Sequence, residues 1–204
     1  DNVLLGDRIP NWTDKITDKN ATQAEWPKQP VKTANGVSFD GSNDVLHIWD
    51  LNVTAQHIFI VAKRRPVSEE SSILLSGKST QNRVRITNSN DQVFSASGTN
   101  QDFHRGTGGS VRISGGPNLL PQDLAFVSTL TVGDYGPDNG LFLNLNLGHH
   151  DGYSGDGFFD GEIHEVLFYD RLLQNSERDA VEQHLAQKWG ITLYPQQQAA
   201  EQAA

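Results

Sequence analysis

The stretch FFDGEIHEVLFYDRLLQNSERDAVEQHLAQKWGI, residues 158–191, decides the fold. Its first half carries the apolar run Ile163–Tyr169 between Asp-Gly and Asp-Arg pairs, which reads as a long strand. Its second half changes period. After Leu173, Gln174 or Asn175 is placed to cap a helix, and Glu177 lies in the positive first turn. Val181, Leu185 and Trp189 recur at i, i+4 and i+8, with Ala180 and Lys188 beside them. Gly190 follows where a left-handed stop is expected, and Lys188 faces the negative end of the helix. One amphipathic helix therefore follows the last strand.

Upstream, the chain reads as strands and turns. Residues 1–35 are irregular and read as an extended strand and loops along a sheet edge. Val37–Phe39 and Val45–Trp49 flank the turn Asp40-Gly41-Ser42-Asn43-Asp44 and are expected to form a hairpin. Ile58–Lys63 is nearly continuous apolar sequence, suited to a strand buried on both faces. Ser72–Ser76, Arg83–Thr87 and Gln92–Ala96 are short strands between polar turns. Arg83-Val84-Arg85-Ile86 alternates, which predicts one wet face. Residues 106–118 form a Gly-rich loop around a small strand, Val111–Ile113. Its glycines lack a phosphate-binding spacing. Leu124–Val132 and Leu141–Leu147 form a second hairpin-like pair. Strict alternation puts Leu141, Leu143, Leu145 and Leu147 on one face and Phe142, Asn144 and Asn146 on the other.

Composition agrees. The 204 residues include 19 Gly and 8 Pro, with no Cys and no Met. A disulfide scaffold, a thiolate metal site and a Cys nucleophile are excluded. The net charge of -9, with no basic cluster, argues against a nucleic-acid partner. No apolar run approaches the roughly 20 residues of a membrane span, and no stretch of these residues reads as a signal peptide. The length suits one domain, residues 1–194. Residues 195–204, PQQQAAEQAA, are polar and aperiodic, as in a linker or tail. With Asp1 as the first residue, both ends read as those of a module belonging to a longer or processed protein. The fold class is all-β: a two-sheet antiparallel jelly-roll sandwich with one short C-terminal α-helix.

Two segments carry a family resemblance. One is TANGVSFDGSNDVLHI (33–48), preceded by PNWTDKI (10–16) and NATQ (20–23). The other is the 158–191 stretch. In this order they resemble the concanavalin A-like, laminin G-like jelly-roll domains of bacterial surface and phage structural proteins. The likeness covers about a third of the chain. The sequence departs from that pattern at Val45, where the family carries an aromatic, and before Trp12, where it carries a further strand. The resemblance implies the jelly-roll fold, a cell-surface or virion location, and rim loops that hold Ca²⁺. It does not choose a function, because this fold carries lectins, adhesins, lyases and inert modules.

The residues themselves narrow the chemistry. Glycanases of this fold place carboxylates at i, i+2 and i+4 of one strand. Here the nearest match is Glu162-Ile163-His164-Glu165-Val166. Alternation puts Glu162, His164 and Val166 on one face and Glu165 on the other, so the set is broken and no catalytic residue is assigned. Glu165 is expected to be a structural carboxylate near the helix or the Trp12 segment. No nucleophile elbow is present.

For Ca²⁺, the candidates are Asp151, Asp156 and Asp160, facing Asp134 and Asp138. The competing reading of the three Asp-Gly pairs is turn formation. His149 and His150 are adjacent and cannot readily share one metal. A sugar site needs a flat aromatic flanked by amides and carboxylates. Asn144, Asn146, His150, Asp151 and Tyr153 form one strand-and-loop unit that supplies these groups, and His47 and Trp49 add an aromatic platform. Trp12, Trp26 and Trp189 are expected to pack in the core. Three functions follow: a non-catalytic carbohydrate-binding module, a structural or adhesin module binding protein and, least favoured, a glycan-degrading enzyme.

Overall fold

The computed structural model describes residues 4–65, 72–77, 82–87, 92–96, 109–116, 124–133, 140–149 and 157–194. The strands are β1 (Asn11–Trp12), β2 (Ala21–Thr22), β3 (Val31–Lys32), β4 (Val37–Asp40), β5 (Leu46–Thr54), β6 (His57–Arg64) and β7 (Ser72–Gly77). They continue as β8 (Arg83–Thr87), β9 (Gln92–Ala96), β10 (Ser110–Ile113), β11 (Phe126–Thr131), β12 (Leu141–Leu147) and β13 (Asp160–Tyr169). Helix α1 spans Asn175–Trp189. A short 3-10 helix, Trp26–Lys28, precedes β3.

Two antiparallel sheets form the sandwich. One runs β1-β2-β5-β12-β7-β8-β9 and the other β10-β11-β6-β13-β4-β3. From β4 to β7, and again from β11 to β13, each strand lies in the sheet opposite its predecessor. That alternation is jelly-roll connectivity, and it corrects both expected hairpins. Asp40 Oδ1 does accept from the Ser42, Asn43 and Asp44 amides. This tight turn carries the chain from one sheet to the other, because β4 pairs with β13 and β3, whereas β5 pairs with β12 and β2. Likewise β11 pairs with β6 and β10, away from β12. Turn chemistry specifies a reversal, and tertiary burial decides which sheet receives the next strand.

Between the sheets lies one core that includes Phe39, Leu46, Ile58, Ile60, Leu74, Leu75, Phe126, Phe142 and Phe159. Gly148 (φ 86) abuts the Phe39 ring, where a Cβ would clash, so Gly is required there. β6 is buried on both faces, as its sequence predicts. Ile58 and Ile60 enter the inter-sheet core, while Phe59 and Val61 face α1. With them pack Val127, Leu173 and Leu185, flanked by Leu167, Tyr169, Val181 and Trp189. The molecule thus has three layers: helix, six-stranded sheet and seven-stranded sheet. The other outer face of the sandwich belongs to the seven-stranded sheet.

Helix α1 starts and stops as predicted. Gln174 is the N-cap, and its backbone N–H donates to Glu177 at 2.8 Å. Gly190 (φ 66) closes the helix with its N–H on Ala186 O. Val181, Leu185 and Trp189 face the sheet as expected; beside them Ala180 is exposed, and Glu182 and Ala186 are buried instead. Glu182 is fully buried, with Arg112 of β10 at 3.1 Å. Arg112 also donates to Asp179 at 2.9 Å, and Arg178 reaches Asp179 at 3.2 Å. This ionic network pins the helix to the sheet edge. Among the described residues, no helix is long and apolar enough to cross a membrane.

Candidate functional site

β5 and β12 bring part of the predicted sugar site together. Cross-strand pairs run Leu46↔Leu147↔Leu75↔Val84, and all four residues face the core. The adjacent row runs Thr22↔His47↔Asn146↔Ser76↔Arg83. Successive residues of a strand alternate faces, so this second row lies on the outer face of the seven-stranded sheet. The row is polar throughout, and Arg85, two residues from Arg83, adds a second guanidinium to that face. Asn146, Ser76 and Arg83 are shielded from solvent.

His47 and Trp49 are neighbours on this face, their ring centroids 5.3 Å apart. Trp49 is 48% exposed. His47 Nδ1–H donates to Asn146 Oδ1 at 2.7 Å. That bond fixes the imidazole orientation and leaves Nε2 free of this contact. The Asn146 Nδ2 is buried with no hydrogen-bond partner among the described residues.

Beside Trp49 the ladder is irregular. Leu143 pairs with Asn52 and Leu145 with Ile48, so three β5 residues oppose Asn144 alone. Asn144 (φ 52) and Asp50 (φ 56) are both left-handed, and Asn144 Oδ1 accepts from the Asp50 amide at 2.8 Å. This bulge corrects the predicted alternation of β12. Phe142 is buried in the core with Leu145 and Leu147, while Leu141 and Leu143 are only partly buried. The parity switches at Asn144, one of the few residue types that tolerates this backbone. Bulges re-aim neighbouring side chains, and here the irregularity adjoins Trp49.

Of the predicted sugar-site residues, His47, Trp49, Asn144 and Asn146 meet at this bulge. His150, Asp151 and Tyr153 lie outside the described residues. Of the candidate Ca²⁺ ligands, Asp134, Asp138, Asp151 and Asp156 also lie outside them. Asp160 is described, and Arg65 takes its carboxylate at 2.5 Å. Among the described residues, no three His or acidic side chains group as a metal site.

The Glu162–Val166 segment sits elsewhere, in β13 of the six-stranded sheet. A register shift between Ile163 and Glu165 makes His164 the extra residue. Val166 therefore packs against the inter-sheet core, and Glu165 points to the helix layer. This corrects the predicted grouping of Glu162, His164 and Val166 against Glu165. Glu165 is the expected structural carboxylate, accepting from Lys188 Nζ at 2.7 Å and Trp189 Nε1 at 2.8 Å. Burial pushes its carboxyl up, but those two donors outweigh burial and hold it below the usual range. His164 lies with its ring 5.1 Å from Trp189 and Nε2 3.4 Å from Glu162. Burial lowers its basicity, and Glu162 only partly offsets that. Thr33 Oγ1 donates to Glu162 at 3.2 Å. A cleft of about 140 Å³ nearby is lined by Lys63, Arg64, Arg65, Gly161 and Glu162. The Arg65 fork is already committed to Asp160, Ser38 Oγ and Phe39 O.

The tryptophans divide. Trp12 and Trp189 pack against the two apolar clusters, as expected. Trp26 does not, being 67% exposed. The sequence marked His47, Asn146 and the wet face of Arg83 singly, but not their alignment in one row. It becomes visible once Leu46, Leu147, Leu75 and Val84 are aligned as core partners.

No protein-family model matches the chain, and comparison with curated proteins and with solved structures returns no match. The architecture and the site geometry are therefore the grounds for a functional reading.

Proposed function

We propose that the chain is a non-catalytic carbohydrate-binding module of a cell-surface or virion protein, with its site on the outer face of the seven-stranded sheet. The observation that carries this reading is the exposed Trp49 beside a His47 whose orientation Asn146 fixes. A flat aromatic next to a held imidazole suits a pyranose, which offers an apolar C–H face and a rim of hydroxyls. Binding suits the geometry better than hydrolysis, because Glu165 is consumed by Lys188 and Trp189, and His164 is buried against Trp189. A glycan array with the wild type and Trp49→Ala, with and without Ca²⁺, tests the reading. Selective binding that falls at least about tenfold in the variant is expected, and loss on chelation would add the metal. A blank array in both conditions removes the proposal. A protein-binding structural module is then the next reading, favoured by the exposed consecutive residues Leu4 and Leu5.

A further inference from the structure

The most exposed tryptophan is outside that site. Trp26 opens the 3-10 helix Trp26–Lys28 and is 67% exposed. Its ring is nonetheless held. The Arg8 guanidinium lies over it, 5.2 Å from the ring centroid. Arg8 is itself fixed by Asp44 at 3.1 Å, by Pro27 O at 3.4 Å and by Gln29 O. The Asp44 side chain is 2% exposed, and its other oxygen accepts from the Asp40 amide. The helix is tied to the start of β5 through the Val45 amide on Lys28 O at 3.0 Å. One ring face is thus backed by a cation with three anchors, and much of the indole remains open to solvent.

Leaving a tryptophan in water forgoes the gain from burying it, and bracing it reduces the ordering that binding would otherwise require. Its surroundings indicate what it takes. Arg8, Glu25 and Lys28 are polar, and Glu25 pairs with Lys28 at 2.9 Å across the short helix. A protein hot spot sits in a desolvated, packed surround. A sugar ring needs the opposite: an aromatic plate for its C–H face and charged or amide groups at the rim for its hydroxyls.

We propose that Trp26, backed by Arg8, is a second sugar-stacking platform that binds pyranose units of a polysaccharide. The inference rests on the carbohydrate-binding reading above. Trp26 and Trp49 lie on linked elements, Trp49 being four residues beyond Val45, or about 13 Å of extended strand.

Native gels cast with hydroxyethylcellulose, galactomannan or xylan test it with wild type, Trp26→Ala, Trp26→Phe and Trp49→Ala. Trp26→Ala is expected to weaken retardation by about five- to tenfold, and Trp26→Phe by less. A second readout uses Trp49→Phe, in which Trp26 is the main exposed indole. The retarding polysaccharide should protect its emission from acrylamide quenching, and that protection should vanish in Trp49→Phe/Trp26→Phe. Retardation of Trp26→Ala equal to wild type, with Trp49→Ala impaired and no protection of Trp26, overturns the second platform and leaves the first site standing. A wild type unretarded by all three polysaccharides, with a blank array, overturns both.

Discussion

At the scale of single residues, three buried titratable groups, His57, His164 and Glu182, lie where α1 meets the six-stranded sheet. His57 is 1% exposed and neutral by construction of its bonds: Leu173 N–H donates to Nδ1 at 3.3 Å, and Nε2–H faces Thr131 Oγ1 at 3.1 Å. Burial lowers its pKa, and the Arg178 and Arg171 charges act in the same direction. Burial lowers His164 too. A histidine whose folded pKa is depressed contributes stability above its unfolded value of about 6.5 and loses it as pH falls toward the folded value. Unfolding free energy should therefore decrease between pH 7 and pH 5, and His57→Phe should flatten that slope. An unchanged slope in urea titrations would remove His57 from the account. Glu182 works in the opposite direction, because burial raises its carboxyl despite Thr129 and Arg112. Its contribution is present at low pH and lost as pH rises through the folded value, so Glu182→Gln should steepen the loss on acidification. The exposed Glu177, held down to about 2 by Arg171 and the Gln174 amide, titrates well below this window.

At the scale of elements, helix α1 and strand β12 show what local pattern does and does not determine. The helix boundaries follow from Gln174, Glu177 and Gly190, whose roles depend on neighbours within one turn. The N–H of Gly190 closes the helix in a left-handed conformation, and nothing lies within 4 Å of the position an added methyl group would take. Gly190→Ala should therefore cost only the conformational term, about 1 kcal/mol. Leu185→Ala empties a site that is 1% exposed against Phe59, Val61 and Val127 and should cost about 2–4 kcal/mol. Urea denaturation separates the two, and equal effects would contradict this packing. The strand spans from Ser72 to Ala96 were legible for the same local reason. The faces of β12 and β13 were not, since the ladder is irregular at Asn144, opposite three β5 residues, and at the extra residue His164, and period-2 reading assumes no irregularity. Of the seven candidate binding residues, His47, Trp49, Asn144 and Asn146 are nonetheless brought together, because they were chosen by chemistry and not by face. Asn144→Val should destabilise by about 1–2 kcal/mol, because a β-branched residue resists φ 52. Asn144→Gly should cost less, and the reverse order would show that the backbone there is not strained.

For the whole molecule, the layer order separates the helix interface from the face that carries Trp49. Helix α1 covers the six-stranded sheet, so substitutions at that interface remove buried apolar contacts and act on folding. Trp49 lies on the opposite outer face and is half exposed, so its side chain contributes little to the core. Sequence places Trp26 in the core, because an aromatic within a family-like motif suggests packing. Its exposure follows from the three-residue helix that turns it outward, and exposure is a tertiary property. The two outer faces should therefore be independent. Trp49→Ala should shift the unfolding free energy by less than about 0.5 kcal/mol while weakening retardation in polysaccharide gels. Leu185→Ala should lower stability by the amount above and leave retardation unchanged below its unfolding midpoint. The double variant should then be additive within about 0.5 kcal/mol in stability and match Trp49→Ala in binding. Coupling beyond that margin, or binding lost with Leu185→Ala while the chain is still folded, would mean that the helix side of the sandwich contributes to recognition and would move the site away from Trp49.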